Sequence, residues 1–216
     1  MYPIRLAITN MHIQLPRNLQ LNSHNSINRR LKWNKMNTNK LLNRFNNKAN
    51  EWLEDLRMME EEVIHIRPAE KSWAMAEVYD HVMRVARSYQ IPNLKKSVTE
   101  YAKRKKGKNK YGIAIFNIGF RKNVHMKMEE FPQPLVEAFT PVKRDKHELL
   151  DDFSAFIKEV NDLRDILETS TKKDKHYHPM FGDINTKEWF ALIELHIWQH
   201  DKQREKIKKY IATKEL

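Results

Sequence analysis

Two histidines near the C-terminus, His196 and His200, stand four residues apart in the segment LHIWQHDKQ. On a helix such residues lie on the same side, one turn apart, so both imidazoles can point at one metal ion. A transition-metal site needs at least a third ligand, and His81, on the apolar face of another predicted helix, is the candidate. The competing interpretation is a set of ordinary helix residues, because a chain with 10 His contains roughly 0.5 such pairs by chance. A peptidase of the H-E-x-x-H type is not indicated, since Ile197 occupies the position of the glutamate.

Four amphipathic helices would position these histidines, since apolar residues recur at three- and four-residue steps in four segments. The first predicted helix spans residues 37–64, the second runs from an N-cap at Ser72 to about residue 89, the third spans 146–169, and the fourth begins at Asn185 or Thr186. Four helices of this kind predict an all-α protein, a four-helix bundle with a long connection between the second and third helices.

Finer expectations concern the second helix and the connection that follows it. Pro92 should kink or end the second helix. The connection, residues 111–145, contains three prolines and is expected to form an extended strap over the body of the protein. The predicted inner face of the second helix consists of Ala74, Val78, His81, Val85 and Ser88, and the strap would be held by Phe131, Leu135 and Phe139.

The net charge of +12 is concentrated in two segments of the 216-residue chain. Residues 1–45 carry eight Lys or Arg and residues 103–127 carry nine, and neither segment contains an acid. Residues 1–35 are therefore predicted to be a poorly ordered basic extension, and residues 36–216 the folded domain. Such basic segments can contact nucleic acid, but no groove-entering motif accompanies them, so nucleic acid is not the favoured partner.

The composition excludes several other classes of protein. The absence of Cys removes disulfides, thiolate metal sites and cysteine nucleophiles, and no glycine-rich nucleotide loop is present. There is neither a secretory signal nor an apolar run long enough to span a membrane. A cytoplasmic protein without membrane contact is the expectation.

Three segments resemble the DinB-like superfamily, which includes YfiT-type metal-dependent hydrolases and bacterial thiol S-transferases. They are SWAMAEVYDHV at 72–82, HPMFGDINTKEWF at 178–190 and HIWQHDKQ at 196–203. The resemblance covers residues 37–212, and the His-Pro-x-Phe-Gly loop is its most specific part. It implies a bundle of up-down-down-up topology and, in many members, one metal ion held by three histidines. At the matching positions these are His81, His196 and His200.

Three neutral imidazoles leave a divalent ion with open coordination positions, which is typical of catalytic sites. Zinc or nickel is the expected transition metal, although imidazole ligands alone do not select one. Gln203 and His178 are the expected supporting residues around the ligands, and for His178 a structural loop bond is an equal alternative. No carboxylate is clearly placed as a general base, so the catalytic residues are not assigned.

Two hypotheses about function follow. The first is an enzyme, a hydrolase or thiol S-transferase acting on a small molecule, and any thiol would come from a cosubstrate because the chain has no Cys. The alternative is a non-catalytic binding protein with a vestigial metal site that contacts nucleic acid through its basic segments. A homodimer is a further expectation from the resemblance.

Overall fold

The computed structural model describes residues 37–99, 106–119 and 132–214. These residues are predominantly helical, with one short two-stranded antiparallel sheet. In chain order the elements are α1 (Thr38–Met58), α2 (Met75–Val85), α3 (Ile91–Thr99), α4 (Lys110–Ile113), α5 (Gln133–Phe139), α6 (Lys146–Asn161), α7 (Arg164–Thr169), β1 (Lys175–His178), β2 (Gly182–Asn185) and α8 (Thr186–Ala212).

The hydrophobic core lies among the long helices, because α1 and α2 each pack against both α6 and α8. Aromatic rings fill this space. The Trp52 ring lies 5.0 Å from that of Tyr79 and 6.3 Å from that of Phe153. Tyr79 also donates a hydrogen bond of 2.6 Å to the Trp52 carbonyl, which ties α2 to α1. The core thus fixes the relative positions of α2 and α8, the two helices that carry the histidines of interest.

One charged side chain, that of Arg204, is completely buried within this core. Its guanidinium lies over the Trp52 ring and pairs with the carboxylates of Glu51, Asp55 and Asp201. Buried charges are tolerated when they are paired in this way. Glu51 and Asp201, with Glu205, are also close enough together to suggest a cation site, but the arginine already supplies the positive charge there.

The predicted apolar stripe of the first helix is confirmed, although the helix is shorter than expected. α1 ends at Met58 and a 3-10 turn, Val63–His65, follows. The start of the last helix is also confirmed. The Asn185 side chain accepts a hydrogen bond from the Glu188 backbone, and the Glu188 carboxylate accepts one from the Asn185 N–H, which forms a capping box. The stripe residues Leu41, Leu42, Phe45, Ala49, Trp52, Leu53 and Leu56 are all buried.

Two expectations about the second helix are wrong, and of the kink or end expected at Pro92 the end does not occur. α2 begins at Met75, with Ala74 at the N-cap, because the Ser72 hydroxyl is bonded to the backbone of Ala69 instead. Pro92 does not end the helical path, because a π-turn, Ala86–Gln90, leads directly into α3. The same π-turn inserts an extra residue into the helical repeat, so Ser88 is exposed rather than part of the inner face.

Backbone and side-chain hydrogen bonds accompany this π-turn. The Ile91 N–H bonds to the Ala86 carbonyl five residues earlier. The Ser88 hydroxyl donates to the Arg84 carbonyl at 2.5 Å, and the Asn93 amide donates to the Tyr89 carbonyl at 2.7 Å. The segment thus stays helical across a proline, with side-chain hydrogen bonds on both sides of the π-turn.

The connection between the second and third predicted helices is not simply extended. It contains α4, a π-turn at Ala114–Ile118, and α5. Proline explains part of the difference, because Pro134 lies at the start of α5, where a missing N–H is tolerated. Phe139 is buried as expected and Leu135 is partly buried, whereas Phe131 lies outside the described residues. The predicted third helix is interrupted at Asp162 and Leu163 and continues as α7.

The segment before the last helix, which contains the His-Pro-x-Phe-Gly loop, forms the β1–β2 hairpin. Gly182 has φ of +75°, and a Cβ there would lie 2.8 Å from the Asn109 nitrogen and 2.9 Å from the Gly107 carbonyl. The backbone around Lys108 therefore packs directly on the hairpin, which only glycine permits at this position. Lys108 then pairs with Glu188 at the start of α8.

The predicted basic extension, residues 1–35, lies outside the described residues, as does much of the basic segment 103–127. Among the described helices, none combines the length and the apolar character that crossing a membrane requires.

The capping box generates a prediction about stability. Asn185→Ala should lower the free energy of unfolding by about 1 kcal/mol, because the first turn of α8 loses its side-chain acceptor. Asn185→Asp is the matched control, since aspartate retains that acceptor and should stay close to the wild type. Urea unfolding followed by circular dichroism measures both. Equal stability of the Ala and Asp variants would contradict a role for this cap.

Candidate metal centre

All three histidines singled out from the sequence meet at one point between α2 and α8. His81 lies in the middle of α2 and is 5% exposed, while His196 and His200 occupy successive turns of α8. The ring centroids are 5.1 Å apart for His81 and His196, 4.9 Å for His81 and His200, and 4.7 Å for His196 and His200. One nitrogen from each ring lies within 4.8 Å of the other two. This three-His cluster could hold a metal ion.

Hydrogen bonds on the far side of two rings determine which nitrogen faces the centre. His81 Nδ1 lies 2.7 Å from the Phe139 carbonyl, which can only accept, so Nδ1 carries the proton and Nε2 keeps its lone pair. His200 Nδ1 lies 2.9 Å from Gln203 Oε1, which orients this ring in the same manner. Metal-binding histidines commonly have such a partner on the second ring nitrogen.

The spacing of the α8 histidines suits a shared ion. His196 Nε2 and His200 Nε2 are 3.1 Å apart. In a tetrahedral site with metal–nitrogen bonds of about 2.05 Å, two ligand nitrogens are separated by about 3.3 Å. His196 departs from the pattern of the other two rings, because its Nδ1 is buried and has no hydrogen-bond partner among the described residues.

Burial keeps two of the three rings, His81 and His196, neutral. Desolvation, with a smaller contribution from the neighbouring His200, lowers the pKa of His81 to about 4. Desolvation also holds the pKa of His196 well below its usual value, again with contributions from the other two histidines. At neutral pH neither His81 nor His196 therefore carries the positive charge that would repel a cation.

Asp80, the residue before His81, holds the segment whose Phe139 carbonyl orients the His81 ring. Asp80 is 2% exposed and accepts hydrogen bonds from the Val142 backbone at 2.8 Å and from Arg84 Nε at 2.6 Å. Val142 lies three residues after Phe139, so this buried carboxylate fixes the segment that presents the carbonyl. The sequence places Asp80 on a different side of the helix from His81, and its partners here are structural ones.

The sequence provided no signal for the contribution of Phe139, because it is a backbone carbonyl delivered by a distant segment. Trp73 was also missed as a site residue. Its ring lies 4.6 Å from that of His81 and is stacked 6.0 Å from that of His200. Its position in the quoted segment SWAMAEVYDHV was the only available hint. Trp73 covers the two imidazoles and limits the directions from which a ligand can approach.

A cavity of about 430 Å³ opens beside the cluster. Its walls are mainly apolar, with Val85, Tyr89, Phe139 and Leu195 among them, and no Asp or Glu of the described residues lines it. Exposed Lys202 and Lys206 belong to its open side. The carboxylates near the histidines in sequence are engaged elsewhere, since Glu77 caps α2 and Glu194 pairs with Arg44 of α1.

His178 is not part of the three-His cluster, although it lines the same cavity. Its Nδ1 accepts a hydrogen bond from the Met180 N–H at 3.1 Å, inside the turn of the hairpin. The ring stacks on Phe181 with centroids 4.4 Å apart and lies 5.1 Å from that of Trp189. Burial lowers its pKa to about 3. The residue thus makes a structural loop bond, which is the alternative to a role beside the ligands, and it also faces the cavity.

Comparison of the chain with protein-family models, with curated proteins and with solved structures finds no match.

The buried histidines predict a pH dependence for the metal-free protein. His81, His178 and His196 are neutral in the folded state but take up protons once unfolded, so the unfolded state binds more protons below pH 6.5. The free energy of unfolding should fall as the pH drops from about 6.5 to about 4, by up to about 4 kcal/mol per pH unit.

The His178→Asn substitution removes one of the three histidines responsible for this pH dependence. His178→Asn cannot titrate, so the slope between pH 6 and 4 should decrease by about 1.4 kcal/mol per pH unit. Urea unfolding at a series of pH values measures the slope for wild type and variant. An identical slope for both would contradict the assignment of a depressed pKa to His178.

Proposed function

We propose that this protein is a metal-dependent enzyme that acts on a small molecule at the three-His centre, as a hydrolase or a thiol S-transferase. The observation that carries the proposal is the convergence of His81, His196 and His200 beside a cavity large enough for a small molecule. A structural metal site would be closed by a fourth protein ligand. Among the described residues, the potential metal ligands that converge at this point are three histidines, without a fourth.

Zinc or nickel is the proposed metal. The donor set is three imidazole nitrogens, which suits both ions, and the spacing of the α8 nitrogens agrees with a tetrahedral ion. When bound, a divalent ion would act as a Lewis acid that lowers the pKa of a water or thiol ligand and polarises a carbonyl group.

The remaining residues would bind and orient. The Phe139 carbonyl and Gln203 hold the lone pairs of His81 and His200 toward the centre. The apolar walls exclude water, which strengthens electrostatic interactions within the cavity. Lys202 and Lys206 would attract an anionic group to the open side.

Membership of the DinB-like superfamily is part of the proposal. It is supported by the three sequence segments, and by the fact that α1, α2, α6 and α8 are the long helices and pack against one another. A DinB-type four-helix bundle places its ligands on the second and last of these, which agrees with His81 on α2 and the pair on α8. A homodimer belongs to the same proposal.

The choice between hydrolase and transferase depends on the nucleophile. The chain contains no Cys, and no described carboxylate lines the cavity. The nucleophile would therefore come from outside the protein, as water in a hydrolase or as a low-molecular-weight thiol in a transferase. The alternative of a nucleic-acid-binding protein depends on basic segments that lie largely outside the described residues, so no structural observation favours it.

Metal content tests the centre directly. Wild-type protein should carry about one equivalent of a transition metal per chain, and His81→Ala and His196→Ala should each lose most of it, because two imidazoles hold an ion far less tightly than three. His147→Ala is the matched control, since that side chain is 88% exposed and far along the chain from the centre. Elemental analysis gives the stoichiometry. Unchanged metal content in His81→Ala would rule out this site.

Activity separates the two reaction classes. Metal-loaded protein should convert small electrophiles in a thiol-dependent manner if it is a transferase, with the thiol sulfur bonded to the product. It should cleave esters or amides without thiol if it is a hydrolase, with one oxygen from ¹⁸O-labelled water in the product. His200→Ala should reduce either activity at least about 100-fold, because the metal supplies most of the activation. Mass spectrometry identifies the product, and turnover that does not respond to metal removal would refute both.

A further inference from the structure

His178 lines the cavity without belonging to the three-His cluster. The residue is only 7% exposed, and polar side chains buried to this extent normally have hydrogen-bond partners for their polar atoms. His178 has such a partner at one ring nitrogen and not at the other. The second nitrogen therefore has a free hydrogen-bonding position inside the protein.

The bonded nitrogen determines where the ring proton lies. His178 Nδ1 accepts the Met180 N–H at 3.1 Å, so the proton of the neutral imidazole must be on Nε2. Nε2 has no hydrogen-bond partner among the described residues, and it is not one of the unpartnered polar atoms that the protein encloses completely. Because the residue lines the cavity, this Nε2–H is a donor that a bound molecule can reach.

The same hydrogen bond rules out a role for His178 as a base. The Nδ1 lone pair is used by Met180, and Nε2 carries the proton, so neither nitrogen has a lone pair to offer. Burial lowers the pKa of the ring to about 3, so it carries no positive charge at neutral pH. An anionic group without a countercharge is strongly disfavoured at so buried a position. The group that suits a single neutral donor is an uncharged oxygen acceptor.

Aromatic packing holds the imidazole in one orientation. Its centroid lies 4.4 Å from that of Phe181, with the rings stacked, 5.1 Å from that of Trp189 and 5.8 Å from that of Tyr89. A donor that is fixed before binding loses little conformational entropy when a ligand arrives. The Nε2–H is therefore preorganised for an acceptor.

A continuous apolar wall connects this donor with the three-His cluster. The Tyr89 ring lies 5.8 Å from that of His178 and 6.0 Å from that of Phe139, and all three residues line the cavity. The Phe139 carbonyl in turn accepts the hydrogen bond from His81 Nδ1. One molecule that lies along Tyr89 and Phe139 would therefore extend from His178 toward the metal ligands.

We propose that His178 is a positioning residue whose Nε2–H donates a hydrogen bond to an uncharged carbonyl group of the substrate. The reactive part of the same molecule extends past Tyr89 and Phe139 to the metal. The substrate class is thus a small molecule with a neutral ketone, ester or amide carbonyl that is separate from the reacting atom. The inference rests on the proposed function only in assuming that this molecule reacts at the three-His centre.

Two probes of similar shape test the donor without metal. 4-Fluoroacetophenone and 4-fluoro-α-methylstyrene differ in one position, where the carbonyl oxygen of the ketone is replaced by a CH₂ group, so only the ketone accepts a hydrogen bond. Titration of the full-length, chelator-treated protein, followed by ¹⁹F NMR, gives both dissociation constants. The measured quantity is the affinity of the ketone relative to that of the alkene, because a general change in the cavity alters both affinities.

Two substitutions separate the donor from the structural loop bond. His178→Asn keeps an oxygen near the position of Nδ1 that can accept the Met180 N–H, but it has no donor at the position of Nε2. His178→Gln does the reverse, because its amide nitrogen reaches the position of Nε2. The relative affinity for the ketone should fall about fivefold in the Asn variant, the contribution of one hydrogen bond. It should stay close to the wild-type value in the Gln variant.

The opposite pattern would identify His178 as a purely structural residue. A relative affinity that is unchanged in His178→Asn, or that falls in His178→Gln, would overturn the proposal, as would no measurable binding of the ketone to the wild type. The probes require no metal, so these results do not depend on the metal content of the three-His centre. Failure of this inference is therefore distinguishable from failure of the proposed function.

Discussion

The candidate centre depends on one electrostatic constraint, which is that three imidazoles must point lone pairs rather than protons at the same place. Neutral rings satisfy it only if each proton is held on the outer nitrogen. The Phe139 carbonyl does this for His81 and the Gln203 amide does it for His200. Burial then disfavours the charged forms of His81 and His196, because a charged imidazole in this environment would lose its hydration. Packing of α2 against α8 brings the two sets of rings together.

The same constraint explains why a segment far from the histidines in sequence belongs to the centre. α5 ends at Phe139, and the chain beyond it is bonded to Asp80, the residue that precedes His81. Two adjacent side chains of α2 thus bind the same segment. His81 donates a hydrogen bond to the Phe139 carbonyl, and Asp80 accepts one from the Val142 N–H. A change in the path of this segment would alter the orientation of the His81 ring without any substitution of His81 itself. Supporting interactions of this kind are a general property of metal sites.

The sequence predicted those features that follow from periodicity and from local chemistry. The apolar stripe of α1, the capping box of α8 and the proximity of His196 to His200 are all properties of a helix with known spacing. The pairing of that helix with His81 also followed, because His81 lies on an apolar face. The Phe139 carbonyl could not be predicted, since backbone groups are the same at every position. The π-turn was missed as well, because proline more often ends a helix than follows such a turn, and so Ser88 was assigned to the wrong face.

The π-turn, Ala86–Gln90, shifts the helical repeat within the otherwise continuous helix that α2 and α3 form. One extra residue rotates everything beyond it by about 100° relative to a regular helix. Within the π-turn, the shift directs Gln90 toward the cavity. Beyond it, in α3, the shift brings Ser97 next to Thr186 at the start of α8, with their hydroxyl oxygens 2.8 Å apart. Deleting a single residue here would restore regular hydrogen bonding and at the same time misalign the cavity or the α3–α8 contact. The irregular turn therefore makes the length of this segment a fixed quantity.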